Sequence, residues 1–133
     1  METVKEVKAL AFDYYGTIAD KTALAGEIET RLPGQGLAFT KLWFAQTQRY
    51  CFQLGQMGRH IPWSELTKAA FKFTAEEMGL KLDDKTRDQW IEADAHLPVY
   101  GEAAAALARL AKRFDLYVLS MGRSSRRKVC KIN

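Results

Sequence analysis

Asp13 is the side chain of this sequence best placed to act as a nucleophile. It follows the run Val7-Lys8-Ala9-Leu10-Ala11-Phe12 and precedes Tyr14-Tyr15-Gly16-Thr17. A short apolar run of this kind predicts a buried strand, and open α/β sheets bind ligands at the carboxyl ends of their strands. Gly16 permits a sharp turn, and the Thr17 hydroxyl can orient a carboxylate or a ligand. A carboxylate held there can form and release a covalent ester. The plainer role for an aspartate in this place is to cap a turn. A second apolar run, Leu116-Tyr117-Val118-Leu119, ends in Ser120-Met121-Gly122. If the two runs are parallel neighbours, Asp13 and Ser120 face one pocket. Taken singly, Thr17 and Ser120 serve a local turn hydrogen bond as readily as catalysis.

The elements that must position these groups are mostly helical. The pattern predicts a helix over 22–32, broken by Pro33-Gly34-Gln35-Gly36. A long helix follows from Phe39 to about Met57, with Trp43, Tyr50, Leu54 and Met57 on one face. Gly58 and Ile61-Pro62 end it. Ser64 is the expected N-cap of the next helix, which carries Leu66, Ala70 and Phe73 and stops near Gly79. Asp83 is the expected cap of another, with Trp90, Ala93 and Leu97 on one side, interrupted by Pro98. Glu102 to Phe114 shows Ala103, Leu107, Leu110, Ala111 and Phe114 at helical spacing. The order is strand, several helices, strand. The stretch between Asp13 and Pro98 is far longer than one crossover helix needs, so a helical insertion follows the first strand directly.

At 133 residues, 47% hydrophobic and 27% charged, the chain reads as one globular domain. No stretch approaches the roughly 20 apolar residues of a membrane helix. Residues 1–6 lack the apolar core of a signal peptide, so a cytoplasmic protein is expected. Cys51 and Cys130 have no metal or redox spacing and are expected as free thiols. The net charge of +4 is local. Residues 123–133 carry five Lys and Arg and no acid, so the other 15 basic and 16 acidic residues leave −1 over the rest. This basic end is expected to be a disordered, solvated tail, and a nucleic-acid role, which it alone could support, is not expected.

The chain resembles the haloacid dehalogenase superfamily of aspartate-nucleophile hydrolases, and within it the L-2-haloacid dehalogenases (type II). Phe12-Asp13-Tyr14-Tyr15-Gly16-Thr17 is similar to the first motif and Leu119-Ser120-Met121-Gly122 to the second. The helical insertion, with Leu42-Trp43, Tyr50, Gly79-Leu80 and Asp83, is similar to the family's cap. The resemblance implies an α/β fold: a partial Rossmann-like core of parallel strands at 1–18 and 98–122, a helical cap at 19–97, and the tail at 123–133. It implies a hydrolase in which Asp13 attacks the halogen-bearing carbon of a 2-haloalkanoic acid. Halide leaves, and water hydrolyses the aspartyl ester to the inverted 2-hydroxy acid. Thr17 orients the carboxylate or helps to activate water. Ser120 holds the substrate carboxylate, and Tyr14, Tyr15, Phe44 and Met121 line the substrate. Trp43 and Tyr50 serve as cap core or as substrate contacts. No cofactor and no metal is implied, and the partner is a small 2-haloacid or related carboxylate.

Three departures from the family pattern bear on activity. Phe44 follows Leu42-Trp43 where a halide-binding arginine is usual, and neither Arg49 nor Arg59 is placed to substitute. Met121 follows Ser120 where asparagine is usual. The lysine and the acidic or Ser/Asn-bearing loop expected beyond the second motif have no counterpart, so the sequence reads as cut short at its C-terminal side. Tyr15 stands where phosphatase members carry an acid that protonates the departing oxygen. A phenol titrating near 10 is a poor substitute, whereas halide leaves as an anion. The alternatives to a dehalogenase are a phosphatase of the same family and an inactive fragment that binds a partner.

Overall fold

The computed structural model describes residues 7–120 and 128–132, with the backbone alone at 128–130. The chain divides into two units: residues 7–20, 98–120 and 128–132, and the helical stretch Lys21–Leu97.

The first unit holds a three-stranded sheet. Its strands are β1 (Ala9–Phe12), β2 (Asp115–Ser120) and β3 (Lys128–Lys131), in the order β1-β2-β3. β1 and β2 are parallel, with Ala9 opposite Asp115 and Phe12 opposite Val118. β3 runs antiparallel to β2, with Ser120 opposite Lys128. The third strand corrects the expectation of a disordered tail, at least over Lys128–Lys131. The Lys131 Nζ lies 2.7 Å from Asp115 Oδ1, and the Ile132 N–H donates to the Leu116 carbonyl at 2.8 Å. The ion pair with Asp115 raises the Lys131 pKa above its ordinary value. A cross-strand charge pair of this kind helps an edge strand to form even in a basic segment. A helix, α5 (Gly101–Leu110), precedes β2.

β1 also differs from expectation. None of its residues is fully buried: Ala9 and Ala11 are exposed and Leu10 and Phe12 half-buried. In the sheet only Leu116 is buried among the described side chains. An apolar run buries itself only when something covers it, and β1 is the end strand.

The second unit contains α1 (Thr22–Arg31), α2 (Gly36–Gln56), α3 (Trp63–Glu77) and α4 (Asp84–Ala95). Each buries a stripe at helical spacing: Leu24, Ala25 and Ile28; Gly36, Phe39, Thr40, Trp43 and Thr47; Leu66, Ala70, Phe71 and Thr74; Thr86, Trp90 and Asp94. Phe39, Trp43, Phe71 and Trp90 meet edge to face, with ring centroids 5.4–6.0 Å apart. Such pairs contribute about 0.5–1.5 kcal/mol beyond area burial. The Trp43 indole N–H donates to the Thr67 carbonyl at 2.9 Å. The buried threonines Thr40, Thr47 and Thr74 each donate to the carbonyl four residues back, so no hydroxyl is left unmatched. At Gly36, a Cβ would come within 2.5 Å of the Ala25 carbonyl oxygen and 2.7 Å of the Glu29 amide nitrogen, so glycine sets the close approach of α1 and α2. Glu29 accepts from the backbone N–H groups of Gly34 and Gly36, and these bonds hold its pKa low.

The expected stripe on α2 runs too far. Met57 is 65% exposed, and Tyr50 and Leu54 are only half-buried. Phe39 faces Phe71, and Trp43 reaches Thr67. This antiparallel pairing brings Trp63, the start of α3, level with Thr47. Beyond Thr47, α2 has outrun its neighbour. On α3, Phe71 and not Phe73 is the buried phenylalanine, and the helix begins after Pro62 with no side-chain cap, in place of the expected Ser64 cap. Asp83 does cap α4, accepting from the Thr86 N–H at 2.8 Å.

Candidate active site

β1 ends at Phe12, directly before Asp13, and its parallel neighbour β2 ends at Ser120. The register sets Phe12 beside Val118, so Asp13 and Ser120 both stand at the carboxyl ends of adjacent strands. Asp13 is exposed and Ser120 half-buried. The carboxylate is therefore open to solvent and to an approaching substrate, as a nucleophile must be.

A tight knot of backbone follows Asp13. The Tyr14 carbonyl accepts from the N–H groups of Thr17, Ile18 and Ala19 at 3.3, 2.9 and 2.9 Å, and the Gly16 N–H donates to the Ala19 carbonyl at 3.0 Å. Gly16 has φ of +78°, the left-handed region that glycine alone enters cheaply. Ile18 and Ala19 anchor the knot by burial. The turn thus fixes the backbone on the C-terminal side of Asp13. Thr17 is exposed on it, four residues after Asp13. Tyr14 and Tyr15 are half-buried, their rings edge to face at 5.0 Å.

The same segment pairs with the stretch that returns from the helices. Ala19 bridges Val99, the Asp20 N–H donates to the Pro98 carbonyl at 2.8 Å, and the Tyr100 N–H donates to the Ile18 carbonyl at 3.0 Å. Desolvation, then the charge and hydrogen bond of Asp20, raises the Tyr100 pKa above its ordinary value.

The first unit therefore gathers Asp13, Tyr14, Tyr15, Thr17 and Ser120. Met121 lies outside the described residues. Phe44 belongs to α2 of the second unit, half-buried, with the Lys21 ammonium 4.5 Å from its ring centroid. Lys21 also forms an ion pair with Asp94, whose side chain is 11% exposed. Sequence reasoning looked for a cation near Phe44 at Arg49 and Arg59, both exposed, and missed Lys21. No periodicity links positions 21 and 44, so only the tertiary fold reveals that neighbour. Among the described residues, no three His, Cys, Asp or Glu side chains gather to hold a metal ion, and no helix is long and apolar enough to cross a membrane.

No family profile matches the chain. It is 34% identical over 120 residues to an (S)-2-haloacid dehalogenase of Pseudomonas putida, covering 90% of this chain and 53% of that protein. An (S)-2-haloacid dehalogenase of Pseudomonas fluorescens is also 34% identical, over 107 residues, 80% of this chain and 47% of the relative. Among solved structures, L-2-haloacid dehalogenase from Xanthobacter autotrophicus with chloropropionic acid covalently bound superposes with a TM-score of 0.79 at 31% identity. That match covers 88% of this chain and 47% of the other. The chain thus spans about half the length of the relatives it matches. With its strand–Asp13–turn geometry, the chain is similar to these (S)-2-haloacid and L-2-haloacid dehalogenases in both sequence and fold over most of its own length.

Proposed function

We propose that this chain carries the nucleophile-bearing part of a hydrolase that cleaves the carbon–halogen bond of short 2-haloalkanoic acids. In the first step a carboxylate oxygen of Asp13 attacks C2. The C–O bond forms as the carbon–halogen bond breaks, and halide leaves with the bonding pair. In the second step water adds to the Asp13 carbonyl carbon and loses a proton to solvent or a base. Collapse releases the inverted 2-hydroxy acid and restores the carboxylate. Water and haloacid thus become hydroxy acid, halide and a proton.

The resemblance supports the roles that follow. Thr17, on the glycine turn, orients the Asp13 carboxylate or the attacking water. Ser120, ending the neighbouring strand, holds the substrate carboxylate. The resemblance alone supports Tyr14, Tyr15, Met121 and Phe44 as substrate-lining residues and residues 19–97 as the cap. Tyr15 supports halide over phosphate-ester chemistry, because halide departs without an acid to protonate it. The observation that carries the reading is Asp13 at the carboxyl end of a strand whose parallel neighbour ends at Ser120.

Halide release from L-2-chloropropionate tests it, with Asp13→Asn as control. The variant is expected to lose roughly 10³-fold or more in rate. A single turnover in ¹⁸O-water is expected to leave label in Asp13 on re-formation of its carboxylate. Phosphate release from a generic ester, with no halide release, indicates the phosphatase. Silence in both assays from a folded chain indicates a binding module.

A further inference from the structure

α3 ends in a turn that folds the chain back on the helix. Gly79 has φ of +66°, and the Leu80 N–H donates to the Ala75 carbonyl at 2.8 Å. Lys81 and Leu82 then lead to the Asp83 cap of α4. A cavity of about 590 Å³ lies between this turn, α3 and the first turn of α4. Small-molecule sites span roughly 300–1,000 Å³. Its apolar lining is Phe71, Ala75, Leu80 and Leu82. Phe71 is 3% exposed and belongs to the aromatic cluster, whereas Leu80 and Leu82 are half-buried. The charged lining is unbalanced. Two of its carboxylates have cations beside them: Glu76 lies 3.9 Å from Lys72, and Asp84 lies 2.7 Å from Arg87. Lys68 and Lys81, both exposed, are left with no carboxylate of the cavity to offset them. Lys68 is near α4, because its charge, behind the stronger hold of Arg87, helps to lower the Asp88 pKa. Asp88 itself accepts from Arg87 at 2.9 Å and does not line the cavity.

We infer that this cavity binds an amphipathic monocarboxylate, an alkyl chain of medium length ending in one carboxylate. The chain covers Phe71, Leu80 and Leu82, and each methylene taken out of water favours binding. The carboxylate sits at the rim beside the Lys68 and Lys81 ammonium groups. A neutral ligand leaves their charge unmatched, and a cation is repelled by it. A small hydrophilic anion gains nothing from the apolar lining. The site lies within the helical unit and uses neither Asp13 nor Ser120, so it stands apart from the hydrolase reading.

Octanoate is the probe, titrated into the full chain and followed by calorimetry and by the methyl resonances of Leu80 and Leu82. One-to-one binding is expected, with both leucines shifted and affinity falling as salt rises. Octan-1-ol and octylammonium are expected to bind about tenfold more weakly or worse, and acetate not measurably. Lys68→Met combined with Lys81→Met keeps two apolar stems and removes both charges. It is expected to weaken octanoate about tenfold and to leave octan-1-ol unchanged. Ala69, exposed at the same cavity, offers a second variant. Ala69→Phe fills the mouth and is expected to abolish binding with an unchanged melting temperature. Asp13→Asn is expected to bind octanoate like the parent, which separates this site from the candidate active site. The assignment is overturned by no binding, by equal binding of octan-1-ol or octylammonium, by full affinity in the doubly substituted chain, by unshifted Leu80 and Leu82 resonances, or by loss of binding in Asp13→Asn. If Ala69→Phe fails to fold, the exposed lysine pair decides.

Discussion

The helical unit and the strand unit are built to different standards of packing. Residues 21–97 bury Phe39, Trp43, Phe71 and Trp90 against one another, none more than 4% exposed. The sheet that carries Asp13 and Ser120 buries only Leu116 among its described side chains, and α5, in the same unit, buries none. The chemistry proposed for this chain thus falls in its least consolidated part, while the aromatic cluster at the centre of its most consolidated part carries no acid–base or nucleophilic side chain. Low local stability and function often coincide, because sites must open and admit ligand.

The contrast can be broken from the helical side. Phe39→Ala removes a ring that, like Phe71, meets all three other aromatics. It is expected to cost about 3–5 kcal/mol in urea unfolding of the helical unit, followed by tryptophan fluorescence. A loss under about 1 kcal/mol contradicts the packing described. Lys21→Met leaves the Asp94 carboxylate without its ammonium partner and is expected to cost about 3 kcal/mol. Adding Asp94→Leu is expected to recover most of that loss, because the orphaned charge goes too.

From the strand side, Gly16→Ala forces a side chain into the left-handed region and is expected to cost about 1–2 kcal/mol. Exchange at β1 amides should report it, while tryptophan-detected unfolding of the helices moves little. If both move equally, the two units do not melt apart. The smallest effect is expected at Asp83, whose carboxylate is held below its ordinary 3.8 by hydrogen bonds from Thr86, then by the charges of Arg31 and Lys85. A depressed carboxylate stabilises the fold above its unfolded value, and that contribution fades as pH falls through the lower folded value. The Asp83→Ala variant should therefore melt slightly below the parent at pH 7, with the gap closing only below about pH 4. A gap that persists unchanged at pH 2 removes this explanation.

Much of the architecture was legible in the residues. Pro33-Gly34, Gly58, Pro62 and Pro98 mark where helices stop, and Asp83 announces α4, because caps and breakers act locally. Asp13 and Gly16-Thr17 were legible for the same reason: a strand end and a tight turn are short-range events. What failed depended on neighbours. Tyr50, Leu54 and Met57 share a helical face with Trp43, but α3 starts too late to cover them. β1 reads as buried and is half-open, because periodicity reports affinity for a cover and not its presence. The strand at Lys128–Lys131 was hidden by its charge, which Asp115 on the adjacent strand partly offsets. The Lys21 ammonium over Phe44 could not be foreseen at all, since 23 positions separate them.

The stitching of Ile18–Asp20 to Pro98–Tyr100 has an evolutionary corollary. The chain departs from the sheet and comes back to it through one short ribbon, so the whole excursion from Lys21 to Leu97 is suspended from two adjacent backbone points. Such an excursion can be lengthened, exchanged or excised, with a tight turn joining Asp20 to Pro98, without disturbing the pairing of β1 and β2. The helices can therefore diversify while the strand scaffold that carries Asp13 stays constant.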